Sequence, residues 1–183
     1  MIVSEPASTG TEALIRAAKA SKGPPPVHLW DPPYCGEMDI EIRRDGTWWH
    51  EGTPIGRPGL VRLFASILKR EGDRHFLVTP VEKVGIRVED APFVAWDVER
   101  EGDGLTFATN VGDRVPLDAG HPLRVEGGAE PVPYVEVRRG LEARVDRKTF
   151  YRLAEMGETE GEWFGLRSHG AFFPMIRAEA LRG

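Results

Sequence analysis

Ile40-Glu41-Ile42-Arg43-Arg44 and Val135-Glu136-Val137-Arg138-Arg139 follow one pattern: apolar, Glu, apolar, Arg, Arg. The echo continues downstream. Arg57-Pro58-Gly59-Leu60-Val61-Arg62-Leu63-Phe64 is answered by Arg147-Lys148-Thr149-Phe150-Tyr151-Arg152-Leu153-Ala154. Each copy reads as a strand followed by a helix headed by Arg. Two copies signify a duplicated unit, where many would signify a solenoid. Residues 36–88 should therefore match residues 133–177. If the two Glu-x-Arg strands pair antiparallel, Glu41 faces Arg138 and Arg43 faces Glu136.

Around the first copy, Asp45-Gly46 separates two alternating segments, which is a strong short-range hairpin signal. A two-residue loop would put Arg44 opposite Thr47 and Ile42 opposite Trp49. Ile40, Ile42 and Trp49 then share the core face, and Glu41, Arg43, Trp48 and His50 share the other. Leu60, Phe64, Ile67 and Leu68 stand at helical spacing, so Arg57 to Arg70 reads as a helix with Pro58 in its first turn and Gly72 as its stop. Upstream, Met1 to Gly10 reads as frayed. Thr11 to Ser21 reads as a helix with Leu14, Ile15, Ala17 and Ala18 on one side, capped by Thr9 or Thr11. Gly23-Pro24-Pro25-Pro26 breaks it. Val27 to Gly36 is too rich in proline for a central strand and reads as a loop pinned by Trp30 and Tyr34.

Downstream, strands are expected around Pro80 (76–79 and 81–88), across Gly102-Asp103-Gly104 (93–100 and 105–110), and at 114–117, 123–126 and 134–139. Asp146 should cap a second helix over 147–156, and two strands (163–167 and 171–176) close the second copy. The class is α+β: internally duplicated strand–helix–strand units with antiparallel sheets. The domains are expected at 1–23 (tail and helix), 24–90 (first repeat) and 91–183 (second repeat).

The chain has 183 residues, 40% hydrophobic and 29% charged, enough to build a core. Its net charge of −5 is unlike the basic footprint of a general nucleic-acid binder, and nucleic acid is not the expected partner. A single cysteine, Cys35, fits a reducing compartment. No apolar run approaches a membrane span and the N-terminus lacks a signal-peptide pattern, so a cytoplasmic protein is expected.

Several motifs together carry a family resemblance. They are His28-Leu29-Trp30-Asp31-Pro32-Pro33-Tyr34-Cys35-Gly36, Gly46-Thr47-Trp48, Gly52-Thr53-Pro54-Ile55-Gly56-Arg57 and Leu60-Val61-Arg62-Leu63-Phe64. Leu77-Val78-Thr79-Pro80-Val81-Glu82-Lys83-Val84, Asp90-Ala91-Pro92-Phe93, Thr109-Asn110-Val111-Gly112-Asp113 and Leu141-Glu142-Ala143-Arg144 complete the set. Over about residues 24–155 the chain resembles the bacterial family of domain of unknown function 1285. The resemblance implies a duplicated α+β core whose C-terminal half is loosely pleckstrin-homology-like. It implies no catalytic residues, and a role in signalling only by analogy of fold.

The residues offer no complete catalytic set. Cys35 has no basic neighbour to lower its pKa and reads as a small packed side chain. His28, His50, His75, His121 and His169 lack metal-binding spacing, so neither a metal nor another cofactor is expected. Glu41 and Glu136 each have an Arg two residues on, which favours ion pairing over acid–base work. The Gly52–Pro58 stretch opens a helix, but Pro54 and Pro58 remove amide donors that a phosphate loop needs. It reads first as a structural turn, and second as a site for a smaller anion or a carboxylate held by Arg57.

The best candidate surface combines Arg43, Trp48 and His50 on one strand face with Arg57, Lys83, Arg138 and Arg144, rimmed by His28, Trp30 and Tyr34. Arginine forks bind carboxylate or phosphate, and aromatic rings supply walls. The expected function is a binding or regulatory module that takes a small anionic ligand, or a partner's acidic segment, in a cleft between the halves. A hydrolase or transferase acting on a phosphorylated small molecule is the alternative, with His28, His50 and Glu82 as candidate bases. Nucleic-acid recognition by a local basic stripe is the third.

Overall fold

The computed structural model describes residues 10–20 and 23–182. Met1 to Thr9, with the expected Thr9 cap, and Ser21 lie outside the described residues. The chain divides into two compact units, Met1–Glu89 and Asp90–Gly183.

The first unit opens with helix α1 (Thr11–Ala20) and a 3-10 turn (Val27–Leu29). Strands β1 (Tyr34–Ile42), β2 (Trp48–His50) and β3 (Thr53–Pro54) lead into helix α2 (Pro58–Ser66). Strands β4 (Leu68–Glu71), β5 (Arg74–Val78) and β6 (Lys83–Val88) complete one sheet in the order β3-β2-β1-β6-β5-β4. Only β1 and β6 run parallel; the other neighbours are antiparallel. That parallel pair departs from the all-antiparallel expectation. It joins strands far apart in sequence, with α2 in the crossover between them. One face of the sheet supplies Ile40, Ile42, Trp48, Leu77, Val84 and Ile86 to a core shared with Leu14, Ala18, Phe64 and Ala65 of the helices. Each large apolar side chain buried this way contributes about 1.5–3 kcal/mol.

Two local expectations fail for identifiable reasons. The hairpin loop has three residues, Arg44-Asp45-Gly46, not two. Arg43 N donates to Thr47 O at 2.9 Å, and Gly46 takes φ +88°, a conformation natural to glycine. The Asp45 carboxyl accepts from Thr47 N and Oγ1, which holds its pKa below the usual carboxylate range. The pairing becomes Ile42↔Trp48 and Glu41↔Trp49, one residue away from the two-residue register. A one-residue slip moves every side chain to the other face. Trp48 and His50 therefore lie on the face of Ile40 and Ile42, while Trp49 lies with Glu41 and Arg43. The second correction concerns α2, which ends at Ser66 rather than Arg70. Ile67 and Leu68 are fully buried as the helical pattern required, but the chain leaves the helix to start β4. Gly72, at φ +59°, turns the β4–β5 hairpin instead of stopping a helix.

The second unit builds a sheet of β7 (Phe93–Glu101), β8 (Gly104–Thr109), β9 (Arg114–Pro116), β10 (Leu123–Glu126), β11 (Val132–Arg138) and β12 (Leu141–Val145). Its order is β10-β11-β12-β7-β8-β9, with β12 and β7 parallel. Helix α3 (Arg147–Met156) packs on β7. Asp146 caps it as expected, its Oδ1 accepting from Thr149 N at 2.9 Å. Strands β13 (Glu158–Glu160), β14 (Trp163–Ser168) and β15 (Ala171–Arg177) form a separate three-stranded meander before a last 3-10 turn (Ala178–Arg182).

The same order recurs in both units: a hairpin, an Arg-headed helix, then three antiparallel strands. The assembly differs. In the first unit the three strands join the main sheet through β6; in the second they stand in their own sheet. The Glu-x-Arg strands do not pair with each other. β1 neighbours β2 and β6, and β11 neighbours β10 and β12. Glu41 is satisfied locally, since Arg43 Nε lies 3.0 Å from its carboxylate and Arg87 Nε 3.6 Å.

Candidate functional site

The outer face of the first sheet carries a lattice of cations, carboxylates and aromatic rings. Strand pairing brings it together: Tyr34 opposite Lys83, Glu37 opposite Gly85, Phe76 opposite Gly85, and Lys69 opposite Phe76. Lys83 Nζ donates to Glu71 Oε2 at 2.9 Å, and Lys69 Nζ lies 3.5 Å from Glu71 Oε1. Lys69 Nζ also donates to the Trp30 carbonyl at 2.9 Å, which ties the proline-rich loop to β4. The two lysine side chains are 20% and 14% exposed. The hydrogen bond from Lys83 holds Glu71 below the usual carboxylate range. The Phe76 ring has the Lys83 ammonium 4.8 Å from its centroid on one approach and the Arg74 guanidinium 4.9 Å on another. Tyr34 meets Phe76 edge-on at 6.2 Å and donates its OH to Glu37 Oε1 at 2.9 Å. Arg74 pairs with the same carboxylate. Gly85 makes room for this: a Cβ there would run into the Glu37 carboxylate.

The expected site residues are placed as follows. Tyr34, Lys83 and the Trp30 backbone meet at this sheet end. Arg43 stacks on Trp49 at 3.6 Å, not on Trp48. Trp48 is buried and stacks on Phe64 at 6.3 Å. His50 lies 3.8 Å from Glu51. His28 is exposed on the 3-10 turn, with no described partner. Arg57 caps α2 through its backbone, and its side chain is exposed. Arg138 and Arg144 lie in the second unit, each against an acid. Arg138 Nη1 is 3.0 Å from Asp113 Oδ2 and Arg144 Nε is 3.5 Å from Asp90 Oδ2. Asp90 also accepts from the buried Tyr134 OH at 2.8 and 2.9 Å.

Sequence reasoning missed Lys69, Glu71, Arg74, Phe76 and Glu37. Lys69 was hidden inside a helical pattern. The signal for Arg74 and Phe76 was their alternation on one strand face, visible only once β5 was known to pair with β6.

The candidate bases are dispersed. Glu82 sits in the β5–β6 turn, where burial raises its pKa, and its amide donates to Thr79 Oγ1 at 3.1 Å. Cys35, expected as a small packed side chain in a loop, is instead exposed near the start of β1, where it donates Sγ–H to the Pro33 carbonyl at 3.3 Å. Among the described residues, no hydrogen bond joins the side chain of His28, His50 or Glu82 to a nucleophilic side chain; Glu82 meets Thr79 only through its backbone amide. No group of three His, Cys, Asp or Glu among them is placed to hold a metal ion. No helix among them is long and apolar enough to cross a membrane.

The duplicated, two-unit α+β architecture agrees with the comparisons. Residues 25–91 match the family model of the N-terminal domain of domain of unknown function 1285, and residues 92–175 match that of its C-terminal domain. The chain belongs to this family. It is similar to a crystal structure, at 2.50 Å, of a family member from Silicibacter pomeroyi DSS-3, with 58% identity. That likeness covers 93% of this chain and 98% of the other, with a TM-score of 0.86. A second member, from Shewanella baltica OS155 at 1.40 Å, is 31% identical over 63% of this chain and 90% of the other, with a TM-score of 0.54. No curated protein matches the chain.

Proposed function

We propose that this chain is a non-enzymatic binding module that holds a small anion, a carboxylate or phosphate, at Lys69 and Lys83. One observation carries the reading: two lysines whose side chains are mostly buried share a single carboxylate, Glu71. Arg74 and Glu37 balance each other beside them, so one positive charge is left over. A partly desolvated cation is costly until an opposite charge compensates it. A bound anion would supply that charge, with Tyr34 and Phe76 as walls. A regulatory role in the cytoplasm belongs to the same proposal, as does a loose pleckstrin-homology likeness of the C-terminal half. The packing of α3 on a six-stranded sheet is consistent with that likeness.

Thermal shift and calorimetry with inorganic phosphate and citrate test it on the full chain. A ligand at 100 times its Kd stabilises by about 2.7 kcal/mol. The shift should vanish in Lys83→Met and shrink in Lys69→Met, while Arg57→Ala keeps it. No response to either anion at millimolar concentration, or an unchanged response in both lysine variants, overturns the proposal.

A further inference from the structure

The cations of the first unit divide cleanly by element. Those on the sheet side are all engaged. Arg43, Arg74 and Arg87 pair with carboxylates, Lys69 and Lys83 share Glu71, Arg70 donates to the Gly72 carbonyl, and Arg44 is also engaged. The helical layer behaves differently. Arg16 and Lys19 of α1, Arg62 of α2 and Arg57 at the α2 N-cap are all exposed. None of the four has a described partner. Glu12 is the lone described acid on α1, and α2 has none. The layer thus carries four cations against one carboxylate, in a chain of net charge −5.

The two helices pack against each other and turn Leu14, Ala18, Phe64 and Ala65 inward. Ile15, Leu60, Val61 and Leu63 are half-buried on the same two helices. Charge complementarity and this mixed apolar strip fit one kind of occupant. We propose that the α1–α2 layer is a docking surface for an acidic amphipathic protein segment. Its carboxylates would meet Arg16, Lys19, Arg57 and Arg62, and its apolar residues would lie on Ile15, Leu60 and Leu63. Helix-in-groove recognition works through this pairing of an apolar strip with flanking charge.

Two other polyanions fit less well. Binding to duplex DNA commonly neutralises about 6–10 phosphates, more than four cations can engage, and the chain's overall negative charge repels a long polyanion. A lipid surface calls for protruding aromatic or aliphatic side chains. Among the described residues the large exposed apolar ones are Leu29, Tyr34, Val81, Trp96, Tyr151, Trp163 and Leu181, and none lies on α1 or α2.

The test uses the full chain and a fluorescein-labelled synthetic helix of alternating Glu and Leu faces, read by anisotropy. A labelled single-stranded DNA and phosphatidylserine-containing vesicles run alongside. The peptide should bind, with affinity falling as salt rises. R57E/R62E should weaken it at least tenfold, and so should R16E/K19E, which keeps the test decisive if the first variant fails to fold. Both variants should retain the response to phosphate assigned to Lys69 and Lys83, so the two proposals fail separately. No peptide binding, or binding indifferent to both variants, overturns the inference. So does tighter binding of DNA or vesicles that depends on the same four residues.

Discussion

Replacing Trp48 with alanine should destabilise the first unit severely, while the same change at Trp49 should be mild. Trp48 is 2% exposed and stacks on Phe64 with planes 18° apart. Truncating a buried tryptophan costs about 3–5 kcal/mol, which already includes the lost aromatic contact. A partial offset exists. The Trp48 Nε1 donor is buried without a partner, and removing such a neutral N–H returns about 1 kcal/mol, the low end for an unsatisfied buried group. The net loss is therefore ~2–4 kcal/mol. Trp49 is half-buried and donates Nε1 to Thr47 Oγ1 at 2.9 Å, under the Arg43 guanidinium. An exposed cation–π contact is worth ~0.5–1 kcal/mol, so Trp49→Ala should cost ~1–2 kcal/mol with the hydrogen bond included. Urea unfolding of the full chain, followed by far-UV circular dichroism, separates the cases. With a slope of about 2 kcal/mol per molar, Trp48→Ala moves the first transition by ~1–2 M and Trp49→Ala by well under 1 M. Trp48→Phe should fall closer to wild type than Trp48→Ala, because it drops the orphan donor and keeps a ring against Phe64. Equal losses at 48 and 49, or a larger loss at 49, would refute the three-residue loop and the register built on it.

Three further outcomes are expected. His75 is mostly buried beside Arg70, and its Nε2 is buried without a partner. Burial, with Arg70 adding to it, pushes its pKa from 6.5 down to about 4. The unfolded chain therefore takes up a proton that the folded one refuses. Stability is full above about pH 6.5 and is lost as pH falls toward 4, by up to ~3 kcal/mol, and by ~1–2 kcal/mol once the wet part of the ring is allowed for. His75→Gln should flatten denaturation midpoints across that window, and an unchanged pH slope would remove His75 as the cause. Gly85→Ala should fold with stability within ~1 kcal/mol of wild type, since its Cβ displaces only the flexible Glu37 side chain from an exposed pair. Gly165→Ala should cost ~1–3 kcal/mol or more, because its Cβ would strike the rigid Phe173 carbonyl across the β14–β15 hairpin. Comparable thermal midpoints for the two variants would contradict these placements.

Much of the architecture was legible along the chain because it rests on short-range rules. The Arg-headed helices, the Asp146 cap and the Gly-centred turn at 102–104 each follow from residues within one turn of one another. The duplication was legible because pattern survives where contacts are hidden. Tertiary structure decided the rest. Whether Trp48 or Trp49 faces the core hung on one loop residue, and period-2 alternation converts that single slip into a reversal of faces. Ile67 and Leu68 satisfied helical spacing and strand burial equally well, and only the pairing of β4 with β5 chose between them. The same limit governed function. The sequence supplied arginines in abundance without saying which would find an acid, since ion pairs join residues such as Arg87 and Asp39, or Arg138 and Asp113, that are distant in the chain. Pairing engages Arg43, Arg138 and Arg144 and leaves Arg57 exposed without a described partner. The chain alone could identify the charges, but it took the fold to show which of them are left unmatched.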